Sequence, residues 1–200
     1  MLCSASMTRT VYSCFDVETT GLDPHTARVI EVAVVKITST GELVGEWSTL
    51  IDAETSDLGR TDIHGISHDL LVGAPTFREV AGDLMVELSG SIPVAHNARF
   101  DIGFVKAEWE RVGLGAIDLC AIDTVPLAKG LGLPGSLGNL SRALGVDLNG
   151  AHRALDDSRA LGSVLSILLK RGAVPDESPL FYPPLLAPAP TGHSLQRSKR

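Results

Sequence analysis

Three stretches of the chain carry the hydrophobic pattern of β-strands. Val11–Val17 is a nearly unbroken apolar and aromatic run that ends in a turn sequence rich in Thr, Gly, Asp and Pro, which is typical of a buried central strand. Val29–Ile37 is rich in β-branched residues, and Leu43–Ile51 follows it after a short Thr, Ser and Gly loop. The pattern therefore predicts three sequential antiparallel strands.

The rest of the pattern predicts helices around one more short strand. Between Pro75 and Gly90 the apolar residues recur at helical spacing, and so do those of 99–112, while Ile92–Ala95 between them is a short apolar strand. Further helices are predicted near 123–129, 136–144 and 153–171. Strands followed by alternating elements predict a mixed sheet flanked by helices, in an α/β or α+β architecture.

The same pattern divides the chain into three parts. Residues 11–171 form the predicted folded domain, and residues 1–10 form a flexible N-terminal segment. Residues 172–200 form a proline-rich tail that is predicted to be mobile.

Composition narrows the class of protein. Hydrophobic residues make up 44% and charged residues 20% of the chain, close to the globular norm, and no apolar run is long enough for a membrane span. We therefore expect a cytoplasmic protein with no membrane partner. The formal charge of −7 argues against a polyanionic partner, unless some of the acidic residues bind cations whose own charge must be counted.

Four acidic residues occupy notable positions: two lie at the end of a predicted strand, and two lie at helix positions where a core-facing hydrophobic residue is expected. Asp16 and Glu18 close the first strand, and residues two apart in a strand point to the same face. Asp101 and Asp157 each lie in phase with the apolar stripe of their helix, whereas Asp156 falls off that stripe and is the expected solvent-facing acid. Four inward carboxylates offer hard oxygen ligands, which are the ligands that Mg²⁺ and Mn²⁺ prefer.

Two histidines flank these acids. His152 enters the helix that carries Asp157, and an imidazole whose ordinary pKa lies near neutrality suits proton abstraction there. His96 ends an apolar strand, and we interpret it as a hydrogen-bonding residue rather than a catalyst.

Three motifs together resemble a known family. The sequence reads DVETTG at 16–21, HNARFDIGF at 96–104, and His152 with Asp157 five residues further on. In this order they resemble the motifs of DEDDh 3′→5′ exonucleases, such as the proofreading epsilon subunits of bacterial DNA polymerase III. The sequences IHGIS at 63–67, PTFREV at 75–80 and IDT at 122–124 extend the resemblance over about residues 11–170.

The resemblance implies a ribonuclease H-like α/β fold with a mixed five-stranded sheet flanked by helices, two divalent metal ions and release of nucleoside 5′-monophosphates from single-stranded or frayed DNA 3′ ends. It assigns Asp16, Glu18, Asp101 and Asp157 to the metal ions and makes His152 the general base. It also implies that the substrate is contacted by a second set of residues: Thr19, Thr20, Leu22, His64 and Phe100. For Phe100, packing in the core is the alternative to a substrate contact. The implied partners are a nucleic acid 3′ end and a polymerase or another replication or repair protein.

Two departures from the epsilon subunits limit what the resemblance carries over. Gly59 stands where those subunits carry a further acidic substrate contact, and the tail has no clamp-binding peptide of the QxxLF type. The second departure argues against attachment to a replicative polymerase and leaves other replication or repair proteins as the implied partners.

Three alternatives to a DNA exonuclease remain open. A DEDDh exoribonuclease of the oligoribonuclease or RNase T kind would use the same motifs, because acceptance of a 2′-hydroxyl cannot be read from spacing. A catalytically silent polymerase-associated subunit is less consistent with five intact catalytic positions. A metal hydrolase acting on small nucleotides is the weakest alternative.

Overall fold

The computed structural model describes residues 10–148 and 152–197. One five-stranded sheet runs in the order β3-β2-β1-β4-β5. The elements along the chain are β1 (Val11–Thr19), β2 (Val29–Thr38), β3 (Leu43–Leu50), α1 (Thr61–His64), α2 (His68–Leu71), α3 (Phe77–Leu88), β4 (Ile92–Ala95), α4 (Ala98–Arg111), β5 (Ile122–Asp123), α5 (Thr124–Gly130), α6 (Leu137–Leu144) and α7 (Ala154–Lys170). The predicted mixed sheet flanked by helices is confirmed.

Strand β1 lies at the centre because both of its faces are buried. Phe15 and Val17 face the core cluster that includes residues of α3 and α4, while Tyr12 and Cys14 face a second cluster that includes residues of α7. Alternation along the strand sends neighbouring residues to opposite faces, so an apolar run is what a two-sided strand requires. The unbroken apolar pattern of the sequence is thus a direct consequence of the helix layers on either side.

Strand β1 extends beyond the segment that pairs with its parallel neighbour, β4. β1 pairs with β2 along its whole length, but its pairing with β4 stops at Cys14 opposite Val94. The last residues of β1 therefore project beyond the paired part of β4. Because the carboxyl ends of sheet strands are where α/β proteins place their ligands, this projection positions the candidate site.

Three short elements were not located by the hydrophobic pattern. α1 and α2 are single turns between β3 and α3, and β5, the fifth strand of the sheet, has two residues that pair with Val94 and Ala95. Elements of two to four residues are too short to show a period.

The two predicted terminal segments are described to different extents. Of the predicted N-terminal segment only Thr10 lies within the described residues, and the last three residues of the tail lie outside them. Parts of the described tail lie against the domain, with Phe181 only 3% exposed, whereas Tyr182 and Leu185 are exposed. The mobility of both segments stays a prediction.

Candidate active site and metal centre

Asp16 and Glu18 occupy the projecting end of β1. Their i, i+2 spacing turns both carboxylates to one face, as the sequence predicts. Burial raises the pKa of Asp16 well above its ordinary value, and the nearby carboxylates of Asp101, Asp157 and Glu18 raise it further. All four predicted acidic residues therefore act on one another electrostatically.

Asp101 reaches this strand end from the first turn of α4. Its side chain is 3% exposed, and its Oδ1 accepts a hydrogen bond from the backbone N–H of Val17 at 3.2 Å. Burial raises the pKa of Asp101 to about 7. The start of α4 is fixed by Asn97, whose φ of 67° is left-handed and whose N–H donates to Asp123.

Asp157 and His152 approach the cluster from the other side of the sheet. The backbone N–H of His152 donates to Oδ2 of Asp157 at 3.0 Å, and the His152 side chain is exposed. One potential ligand atom each from Glu18, His152 and Asp157 lies within 4.8 Å of the others. These three residues and the two remaining carboxylates thus converge from three separate parts of the chain.

The neighbouring Asp156 takes no part in this cluster. Its Oδ1 lies 3.0 Å from Nη1 of Arg159, with Arg153 also close. The structure therefore separates the two adjacent acids as the helix phase predicts, although Asp156 is ion-paired and half-buried rather than freely solvated.

The buried carboxylates predict an unusual pH dependence of stability in the absence of divalent ions. Burial raises the pKa of Glu18 to about 8 and that of Asp101 to about 7, whereas in the unfolded chain both ionise near pH 4. The folded state then binds more protons than the unfolded state, so the free energy of unfolding falls as the pH rises from about 5 to 8. We expect the thermal midpoint in EDTA to fall over this range and Mn²⁺ to restore it at pH 8; a midpoint that rises would contradict the charge cluster.

A cleft of about 510 Å³ opens between the loop that follows β1 and the first turns of α4, the helix that carries Asp101. Leu22, which is 86% exposed, and Phe100 form part of its lining. The half-buried ring of Phe100 packs at a tilt against Phe104, with the ring centres 4.8 Å apart. The remaining lining residues are Asp23, Pro24, His25, Asn97, Arg99 and Gly103. Two of the predicted substrate contacts therefore share one opening.

One buried carboxylate ties the two walls of this cleft together. Glu108 of α4 is completely buried and bonds Nε of Arg28 at 2.8 Å and Nη1 of Arg111 at 2.9 Å. Arg111 also donates to the backbone carbonyl of Pro24. The loop after β1 is thus held on the helix that carries Asp101 and Phe100.

Thr19 and Thr20 turn their hydroxyl groups into the backbone of this loop. Oγ1 of Thr19 donates to the carbonyl of Gly21 at 2.7 Å, and Oγ1 of Thr20 accepts from the N–H of Arg28 at 3.0 Å. Gly59 packs onto the same segment with a left-handed φ of 67°, and a Cβ there would lie 1.9 Å from the carbonyl oxygen of Thr20. Glycine at 59 is therefore required by close backbone approach.

The two remaining singled-out histidines are both held by hydrogen bonds. His64 is 3% exposed; its Nδ1 accepts from the N–H of Ile66 and its Nε2 lies 2.9 Å from the carbonyl of Leu58. The predicted contact of His64 with substrate stays a prediction. His96 bonds Thr124 and the carbonyl of Gly135, so the interpretation of His96 as a hydrogen-bonding residue is confirmed.

Sequence reasoning missed two charged residues at the site. Glu31 lies opposite Glu18 on β2 and is 3% exposed, and Arg197 of the tail lies 2.8 Å from it. A glutamate within the apolar run of β2 was a signal for Glu31, because a strand buried on both faces has no solvent side for a charge. Nothing in the composition of the tail pointed to Arg197.

The sheet order and the carboxylate cluster agree with the ribonuclease H-like fold and the acidic site that the sequence motifs imply. Residues 13–165 match the model of the RNase T exonuclease family, and the chain belongs to that family. The predicted membership of the exonucleases is confirmed.

Curated relatives are considerably longer proteins. The chain is 34% identical over 165 residues to the PolC-type DNA polymerase III of Clostridium perfringens and 35% identical over 165 residues to that of Staphylococcus saprophyticus. The match covers 80% of this chain and 11% of each relative.

Solved structures of 3′-exonucleases share the fold. The nuclease domain of 3′hExo, a DEDDh family member bound to rAMP, aligns with a TM-score of 0.71 at 20% identity, covering 86% of this chain and 99% of that one. E. coli exonuclease I in complex with a dT13 oligonucleotide aligns with a TM-score of 0.67 at 16% identity, covering 82% of this chain and 42% of that one.

Within residues 10–148 and 152–197, none of the helices has the length and apolar character needed to cross a membrane.

Proposed function

We propose that this chain is a metal-dependent 3′→5′ exonuclease that releases nucleoside 5′-monophosphates from single-stranded or frayed DNA 3′ ends, of the proofreading or repair type. The observation that carries the proposal is the convergence of Asp16, Glu18, Asp101 and Asp157, with His152 beside them. The PolC-type relatives support DNA as the substrate.

The donor set fits divalent metal ions. Carboxylates that raise one another's pKa in a partly buried site need positive charge to be stable in ionised form. Oxygen ligands of this kind favour Mg²⁺ or Mn²⁺ over softer metals. We assign Asp16, Glu18, Asp101 and Asp157 to hold a pair of these ions, which when bound would stabilise charge on the attacking and leaving oxygens of an in-line displacement.

The protein's own residues account for the remaining steps. The imidazole of His152 is exposed at the cluster, where a ring nitrogen can accept a proton from the attacking water. Leu22 and Phe100 offer apolar surfaces against which an unpaired base can pack. Packing of apolar side chains against the faces of bases does not distinguish one base from another, so we expect the site to select the end of a strand and not its base sequence.

The deciding experiment offers matched single strands of DNA and RNA to one purified preparation. With 5′-labelled oligomers and Mn²⁺ we expect DNA to be shortened one nucleotide at a time from its 3′ end, with no release in EDTA and none from a 3′-blocked end. Preferential shortening of RNA would favour the exoribonuclease alternative, and the absence of any product with either sugar would contradict the proposal.

The proposed partners and location rest on separate observations. Association with a polymerase is supported by the PolC-type relatives, of which this chain matches 11%. Binding of a nucleic acid 3′ end is tested by the same oligomers, whereas association with a polymerase and the cytoplasmic location stay predictions.

A further inference from the structure

The tail crosses the domain and returns to the active site. It is anchored where the backbone N–H of Phe181 donates to the carbonyl of Ser91 at 2.9 Å and the ring enters the core. It is anchored again at Asp83 of α3, whose carboxylate accepts the N–H groups of Thr191 and Gly192, each at 2.9 Å. The tail therefore follows a defined path over α3.

The last described residues of the tail pair with the sheet. The carbonyl of Leu195 accepts the N–H of Leu50 at 2.7 Å, and the N–H of Leu195 donates to Oγ1 of Thr49 at 3.0 Å. The Leu195 side chain packs on the small core cluster that contains Ile30 and Leu50. Two residues later the chain reaches Arg197, beside the acidic cluster.

Arg197 is buried between two elements of the site. Its Nη1 donates to the carbonyl of His64 at 2.7 Å, and its Nη2 lies 2.8 Å from Oε2 of Glu31, with side-chain exposures of 9% and 4% for Arg197 and Glu31. The same oxygen of Glu31 accepts the N–H of Ala154, the first residue of α7, at 3.1 Å. Glu31 also faces Glu18 across the β1–β2 ladder.

The ion pair of Arg197 and Glu31 lowers the net negative charge of the site that an incoming substrate approaches. Without the guanidinium, Glu31 would add a fifth carboxylate to the cluster, and truncating one partner of a buried pair leaves the other charge uncompensated. Because Glu31 lies directly opposite Glu18 on the β1–β2 ladder, the guanidinium of Arg197 on Glu31 is also close to the strand end that carries the acidic cluster. A phosphodiester is an anion, so repulsion from this cluster opposes its binding.

We propose that Arg197 is a positioning residue of the active site, carried there by the docked tail, where it neutralises Glu31 and so permits the phosphodiester end of the substrate to approach the acidic cluster. This proposal rests on the exonuclease function proposed above. It makes the C-terminal tail a working part of the site.

The test is Arg197→Gln in the full chain, assayed with a 5′-labelled single-stranded DNA and Mn²⁺. Losing one positive charge at a partly buried site should raise KM for the oligonucleotide about fivefold or more. The affinity for Mn²⁺, measured by calorimetry without DNA, should be unchanged or tighter, because the cluster becomes more negative. A variant that merely damages the fold would instead lose Mn²⁺ affinity along with activity.

Further variants separate charge from packing. Arg197→Lys keeps the charge and should bring KM to within about twofold of the unmodified protein. The double variant Glu31→Gln with Arg197→Gln removes both charges and should recover most of the same loss. Asp83→Ala frees the tail at a distance from the cluster and should raise KM in the same direction, while Arg171→Gln, an exposed arginine at the end of α7, should leave KM unchanged.

Different experimental results would contradict the role of Arg197 and the exonuclease function. An active protein whose KM is unaffected by both Arg197→Gln and Asp83→Ala would overturn the role of Arg197 while leaving the exonuclease intact, and so would a loss of Mn²⁺ affinity that parallels the rise in KM. An unmodified protein without nuclease activity would overturn the function itself. If Arg197→Gln does not fold, Asp83→Ala and Arg197→Lys decide the question by the same two measurements.

Discussion

Asp157→Ala is expected to lower the rate of mononucleotide release by about a thousandfold or more, because charge stabilisation at a metal site is worth several kcal/mol in the transition state. The carboxylate of Asp157 acts on Asp16, and one of its oxygens accepts the N–H of His152, so the change removes a charge and a backbone anchor together. Steady-state release from a labelled single strand measures the loss.

Asp156→Ala is the matched control for this prediction. It removes a carboxylate from the adjacent position of α7, where its partners are Arg153 and Arg159. We expect turnover within about twofold of the unmodified protein and a small fall in thermal midpoint, since partly exposed ion pairs are worth about 1 kcal/mol or less. Equal inactivation of both variants would show that the phase of α7 does not select the catalytic acid.

His152→Ala is expected to slow turnover by about 10² to 10⁴, the usual contribution of a positioned general base. Binding of Mn²⁺ should persist, because the four carboxylates remain and the backbone N–H that donates to Asp157 is retained. Single-turnover rates and Mn²⁺ calorimetry on the same preparation separate the two effects. An unchanged single-turnover rate would remove His152 from the chemistry. His96→Ala does not serve as a control, since both nitrogens of His96 hold neighbouring segments together.

The fold and the acidic cluster could be predicted from the sequence because both leave a periodic signal. Buried strands and helix faces repeat at fixed spacing, and Asp101 and Asp157 break that repeat at core-facing positions. The structure then places these two residues beside the strand end that carries Asp16 and Glu18. Spacing within elements therefore identified the candidate ligands, and the topology of the sheet brings them together.

The residues missed by sequence reasoning act through contacts that leave no periodic pattern in the sequence. The path of the tail depends on backbone hydrogen bonds to Asp83 and Leu50, which proline-rich composition does not reveal. Arg197 is far from Glu31 in sequence, and only a three-dimensional path joins them. Gly59 is a related case: its sequence position suggested a lost substrate contact, whereas the structure shows that a side chain would collide with Thr20.

The ion pairs of buried Glu108 with Arg28 and Arg111 have a consequence for the affinity of the cleft for an unpaired base. Glu108 of α4 holds Arg28 at the end of the loop after β1, and Arg111 of α4 donates to the carbonyl of Pro24, so protein contacts alone fasten this loop to the helix that carries Phe100. A base that enters such a preorganised opening loses its own freedom but does not have to order the protein, and the entropic cost of association is correspondingly smaller.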